Sequence, residues 1–213
     1  MPVQLHSFVS NGRHNIAPLP YAMGADGQLD LSKAPGPHDS PDPWQVLGIP
    51  CRLDLDLSAV ELQVRGLIRN LHPDRFYCDG PQAVADAQRH TALVNDAWRI
   101  LRDRERRIAW LLDHLGQAAT RLPSALAHLA FERNELVDDA LADPLGFAGQ
   151  IAQLRADVRT ERTQLTTDVL AATRQWDAAQ DAADPVSAAI AAQTLGLLMA
   201  QAPSLDNLLV RLH

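Results

Sequence analysis

Leu71-His72-Pro73-Asp74-Arg75-Phe76 joins two helical patterns, and the rest of the chain is read outward from it. The residue before a proline is pushed out of the α region, so Pro73 predicts that the incoming helix ends near Leu71 or His72. This leaves an imidazole and a carboxylate together on an ordered bend, with Phe76 able to fold back onto the helices. Upstream, Val60, Val64, Leu67, Ile68 and Leu71 recur at helical spacing. Glu61, Arg65 and Arg69 lie one turn apart along another side, where Glu61 and Arg65 form an i,i+4 pair. Asp56 and Ser58 are both capping residues, and Ser58 with Glu61 makes a capping-box pattern. Downstream, Asp79-Gly80-Pro81 opens a helix of about six turns that ends near Leu101-Arg102. Its inward face is assigned to Val84, Ala87, Val94, Ala97, Trp98 and Leu101. A further helix over 103–115, with Ile108, Trp110, Leu111 and Leu112 apolar, closes at Gly116.

Two antiparallel helices with His-Pro-Asp in the connection resemble the J-domain of DnaJ-type co-chaperones. The opening Asp42-Pro43-Trp44-Gln45-Val46-Leu47-Gly48 fits that likeness, as a short helix capped by Asp42 with Pro43 at its first position. The resemblance implies that the loop docks on an ATP-driven chaperone of the DnaK/HscA type and triggers hydrolysis there. The expected docking residues are Arg65, Arg69, His72, Pro73, Asp74 and Arg75. The resemblance then narrows. VNDAWRILRDRERRIAWLLDHLG, residues 94–116, is similar to the end of the J-domain in the HscB family of iron–sulfur assembly co-chaperones. Asn95, Ala97, Trp98, Leu101, Arg107, Trp110, Leu111, Leu112 and Gly116 fit the family pattern; Arg104 stands where proline is usual and Ile108 where alanine is.

From residue 117 the chain reads as wholly helical. One helix is expected over 123–141. Asp143-Pro144 reads as the cap of the longest helix, to about Ala179, with an apolar stripe from Ile151 to Trp176. Asp184-Pro185 repeats the cap for a helix to about Ala200, and Pro203 introduces a last short helix or a continuation. Short connections and one apolar side per helix predict an antiparallel three-helix bundle. The expected fold is therefore all-α: residues 1–41 an irregular, Pro- and Gly-rich extension, 42–116 a J-domain hairpin, and 117–213 a helical bundle for client binding. In the HscB family the bundle binds the iron–sulfur scaffold protein IscU. LAHLAFERNELVDD, residues 126–139, aligns with the family's client helix, and Leu197 takes the place of a family phenylalanine. The resemblance thus implies a client face of Leu126, Ala130, Phe131, Glu135, Asp138 and Leu197, although Phe131 and Asn134 replace usual acids. Leu126, Ala130 and Leu197 read equally well as bundle core.

Composition narrows the function classes. The formal charge of -7 argues against nucleic acid as a partner. Cys51 and Cys78 form no CxxC, and His6, His14 and His38 are irregularly spaced, so no metal or other cofactor is expected. No phosphate loop or nucleophile elbow appears, which argues against an enzyme. No secretory signal and no apolar run of membrane-spanning length is read, so the expected setting is cytoplasmic, with no membrane contact. The sequence leaves room for a weak homodimer. Two other readings stay open: a J-domain co-chaperone for a different client, and a helical adaptor whose His-Pro-Asp is accidental.

Overall fold

The structure, a computed structural model, describes residues 41–117 and 122–213. The expectations for residues 1–40, including those for the three histidines, lie outside the described residues. Among those described, the regular structure is all helical, in the order α1 (Pro43–Leu47), α2 (Leu57–Asn70), a 3-10 segment (Pro73–Asp79), α3 (Pro81–Leu101), α4 (Arg104–His114), α5 (Ser124–Ala142), α6 (Ala148–Asp181) and α7 (Pro185–Arg211). Two compact units emerge. The first holds the described residues up to Pro50 together with Ser58–Trp98; the second holds Cys51–Leu57 and Arg99–His213. Within the second unit, α4 packs on α7.

In the first unit the local signals act as read. Asp42 accepts from the amide of Trp44 at 2.9 Å, and Gly48 ends α1 at φ 65°, a left-handed conformation that glycine adopts without steric cost. Helix α2 opens at Leu57, which puts Ser58 inside the helix, and Glu61 pairs with Arg65 at 2.6 Å. Val60, Val64, Leu67 and Leu71 are buried, as are Ala87, Val94 and Ala97 on α3. Gln63 donates to the Leu47 carbonyl and Thr91 to that of Leu71, which ties α1 to α2 and the end of α2 to α3. The α3 face differs from expectation at three positions. Val84 and Trp98 are only half-buried, whereas His90 is buried, with Nδ1 2.7 Å from the Asp86 carbonyl oxygen. His90 falls at the helical spacing of Ala87, Val94 and Ala97, so its own polarity hid a core position.

The second unit is built on α6, whose 34 residues make a rod of roughly 50 Å. The α5 helix pairs with its N-terminal half. There Val137, Leu154, Val158, Leu165, Ala202, Leu205, Leu208 and Leu212 form one core cluster. The C-terminal half of α6 buries Ala172, Trp176 and Ala179, and α7 buries Ala188, Ala191, Ala192 and Leu195. Two sequence expectations are corrected here, over Asp143-Pro144 and over the apolar run, and one open alternative is decided. Asp143-Pro144 opens a turn, not a helix: the Asp143 carboxylate accepts from the Gly146 amide at 3.0 Å, and α6 starts only at Ala148. Of the two readings of Pro203, the continuation holds, since α7 runs through it. A proline removes one helical hydrogen bond, and the bonds on either side hold the direction. The undivided α7 is also long and apolar enough to span a membrane by length and composition alone, contrary to the reading of no such run. Its buried side belongs to the packing against α6.

The α7 cap yields a pH prediction. Asp184 accepts from the Ser187 hydroxyl at 2.6 Å and from the amides of Ser187 and Val186. These bonds, the hydroxyl first, hold its carboxyl below the usual range. A depressed folded pKa means stability that is complete above the unfolded carboxylate pKa and lost as pH falls through the folded one. In thermal melts across pH 2–6, Asp184→Ala should lower the melting temperature at the upper end and converge with the wild type at the lower end.

Candidate functional site

The first candidate surface is the bend between α2 and α3. His72 is extended (φ -60°, ψ 126°), as a residue before proline should be, and caps the 3-10 segment: its Nδ1 accepts from the Asp74 amide at 3.3 Å. The same nitrogen lies 3.6 Å from the Asp74 carboxylate. With Nδ1 as acceptor, the neutral ring carries its proton on Nε2, where it is a donor for a partner. The amide of Arg75 returns to the His72 carbonyl at 3.0 Å. His72, Asp74 and Arg75 are exposed, Pro73 is half-exposed, and Phe76 is half-buried. The bend is thus locally hydrogen-bonded while its charged and ring groups face solvent.

Arg65 and Arg69 are exposed on α2, one turn apart and away from Val60, Val64 and Leu67. Arg69 in the last turn also complements the helix dipole. Two exposed residues escaped the sequence reading: Leu62 on α2 and Tyr77 in the 3-10 segment. Leu62 lies three and seven residues before the two arginines, a spacing that already puts it on their strip.

The second candidate surface lies in the second unit. Leu122, Leu126, Leu129 and Ala130 with Leu165 of α6 and Leu198 and Leu205 of α7 line a groove of about 200 Å³. Arg133, Glu161, Gln164, Asp168, Gln201 and Ser204 supply its polar lining. The Arg133 guanidinium clasps both Glu161 oxygens, one at 2.8 Å, and this bonding holds its pKa above the usual value. That pair fixes α5 against α6.

The structure divides the expected client residues. Leu126 and Ala130 line the groove. Phe131, 60% exposed, and exposed Glu135 and Asp138 form a stripe on another side of α5. The reason is geometric: five residues at 100° each turn Phe131 about 140° away from Leu126. Asp138 is also engaged, since Arg211 donates to both Asp138 and Asn134. Leu197 is 43% exposed, and its neighbour Leu198 is the one in the groove. Leu122, Leu129 and Leu198 were missed; a leucine every third or fourth residue at 122, 126 and 129 was the available signal.

Among the described residues no group of three or more His, Cys, Asp or Glu side chains is placed to hold a metal ion. Cys51 and Cys78 are both exposed, and neither forms a disulfide.

No family model matches the chain. Individual relatives do. Over 131 residues it is 30% identical to a co-chaperone protein HscB homolog of Bordetella petrii, covering 59% of this chain and 77% of that one. The corresponding homolog of Chromobacterium violaceum is 29% identical over 139 residues, covering 60% of this chain and 77% of the other. Among solved structures, chaperone HscB from Vibrio cholerae superposes with a TM-score of 0.52 at 21% identity, over 81% of this chain and all of that one. Human co-chaperone protein HscB gives 0.55 at 17% identity, over 96% and 92%. At these identities the two structures speak for the fold. A helical protein with an exposed His-Pro-Asp bend and a C-terminal three-helix bundle defines a J-domain-type co-chaperone. The chain belongs to the HscB co-chaperone family.

Proposed function

We propose that the chain binds an IscU-type iron–sulfur scaffold protein and stimulates ATP hydrolysis by a HscA/DnaK-type chaperone during iron–sulfur cluster assembly or transfer. The observation that carries the reading is the His72-Pro73-Asp74 bend, held by its own backbone hydrogen bonds with its polar groups turned to solvent. An exposed donor, a carboxylate, the basic strip of Arg65 and Arg69, and Arg75 in the bend itself suit a transient, electrostatically steered interface with an acidic partner surface. Residues 42–116 act as the J-domain and 117–213 as the client-binding bundle. The scaffold docks on the α5–α7 groove, with Leu126 and Ala130 at its apolar floor and Phe131, Glu135, Asp138 and Leu197 on the flanks. The proposed setting is the cytoplasm.

A second reading keeps the chaperone and changes the client. It is favoured by Phe131, an exposed aromatic where the family carries an acid, and by Asp138 and Asn134 being occupied by Arg211.

The test is single-turnover ATP hydrolysis by a HscA-type chaperone with the full chain, with and without scaffold protein. Stimulation by the chain alone, increased by scaffold, is expected. Leu126→Ser should weaken scaffold binding tenfold or more in calorimetry while leaving scaffold-free stimulation intact. Its side chain is half-buried in the groove lining, so the fold should survive, which circular dichroism checks. Stimulation without any scaffold binding would favour the second reading; no stimulation at all would sink both.

A further inference from the structure

The segment 51–57 connects α1 to α2, two helices of the first unit, yet it belongs to the second. It carries no regular structure up to α2, so its buried amides have no helical or ladder partner and need one from elsewhere. Asp177 of α6 supplies it. One carboxylate oxygen accepts from the Leu53 amide and the other from the Asp54 amide, both at 2.8 Å. Asp177 is 6% exposed and the Leu53 side chain is fully buried. Burial pushes the Asp177 carboxyl above its usual range, against the pull of the two amides.

The neighbours on α6 extend the match. Asp181, one turn on, pairs with Arg52, and Arg174, one turn back, lies 4.0 Å from Asp54. Residues 174, 177 and 181 share one helix face and meet residues 54, 53 and 52 in reverse order. The buried Arg107 of α4, which donates to the Leu101 carbonyl, adds favourable charge toward Asp54 and Asp177. Three charged side chains on one face, each answering a different group of the same short segment, make a clamp that simple apolar packing would not need.

The helix that carries the clamp also lines the groove. Leu165 and Asp168 stand in the groove lining, and Asp177 lies 12 residues beyond Leu165, about 18 Å along a continuous helix. A packed helix is rigid over that distance and transmits displacement, and energetic coupling requires such an element plus one with two discrete states. The 51–57 segment, tied to α6 by side-chain hydrogen bonds rather than by regular structure, is the candidate for the second.

We infer that Arg174, Asp177 and Asp181 clamp residues 52–54 so that scaffold protein docked in the α5–α7 groove is coupled, through α6 and the α1–α2 connection, to chaperone stimulation by the His-Pro-Asp bend. The inference rests on the proposed function, with Asp177 as a positioning residue that touches neither partner. Coupling of this kind is reciprocal, so chaperone engagement also tightens scaffold binding.

The experiment uses the full chain with Asp177→Asn. An amide side chain offers one oxygen and turns an N–H toward the second backbone amide, so one of the two bonds is lost. Hydrogen exchange at Leu53 and Asp54 should accelerate at least tenfold. Scaffold affinity and scaffold-free ATPase stimulation should stay within twofold of wild type, while the extra stimulation conferred by scaffold falls at least fivefold. A merely structural role would lower all three activities together or none. Should Asp177→Asn fail to fold, the exposed rim pair gives the same answer: Asp181→Arg should lose the scaffold-dependent increment and the added Arg52→Asp should restore it. Intact coupling despite faster exchange, or no restoration by the reversed pair, overturns the inference. A wild-type chain that binds no scaffold or stimulates no chaperone overturns it together with the proposed function, and is told apart by failing before any clamp variant is made.

Discussion

His72→Gln should abolish chaperone ATPase stimulation, to within the unstimulated rate, and leave scaffold affinity unchanged. The imidazole does two things at the bend. Its Nδ1 caps the 3-10 segment through the Asp74 amide, and its Nε2 is left as a donor on an exposed ring. Glutamine keeps a polar group but not the rigid ring that fixes cap and donor together, so both the local bend and the contact suffer. The side chain is exposed, so no core cavity opens and global stability should change by less than about 0.5 kcal/mol. Charge reversal of Arg65 with Arg69 offers the companion measurement. Both are exposed, and the Glu61–Arg65 pair contributes only a few tenths of a kcal/mol, so the fold stays while stimulation weakens. Wild-type stimulation should fall as salt rises, because exposed charges are screened. Normal stimulation by His72→Gln would defeat the assignment of this bend as the chaperone contact.

Leu208→Ala has the opposite signature. Leu208 is fully buried in the core cluster of the bundle, where it shares the interior with Val158, Leu205 and Leu212. Truncating a buried leucine removes its transfer free energy and leaves a cavity, at a cost of about 2–5 kcal/mol. That is a large share of the total stability of a domain this size. Urea denaturation should show an earlier midpoint with an unchanged slope, and scaffold binding should weaken in step, since Leu205 of the groove lining lies one turn away on the same helix. The exposed Val210, two residues on, is the control: Val210→Ala should shift stability by less than about 0.5 kcal/mol. Equal effects at the two positions would mean that the core lies elsewhere.

Local signals in the chain settled a great deal. Asp42 before Pro43, Gly48, Pro73, Asp103 and Asp184 before Pro185 each act within a few residues, through a cap, a left-handed turn or a barred helical φ/ψ. Their elements begin or end close to where the residues say. The Asp143-Pro144 signal has the same chemistry, yet it made a turn, because Asp143 spends its carboxylate on Gly146 and the next helix waits until Ala148. Pro203, readable as a break or a continuation, lies within the helix for the converse reason: packing along both flanks of α7 outweighs the loss of one helical bond.

The candidate site divides along the same line. The bend was legible because His72, Pro73 and Asp74 are adjacent and their geometry is set by neighbours in sequence. By itself the sequence determined the helices, most of their ends, the bend and the basic strip of α2, all of which depend on interactions within about one turn. Only the tertiary structure decided which side of α5 forms the groove, that Leu122, Leu129 and Leu198 line it while Phe131 and Leu197 do not, and that Asp177 serves residues 53 and 54. The Asp177 bonds span 124 and 123 positions in the chain. No local propensity encodes such a pairing, because it is the packed helices, each burying its own apolar face, that bring the two segments within hydrogen-bonding distance.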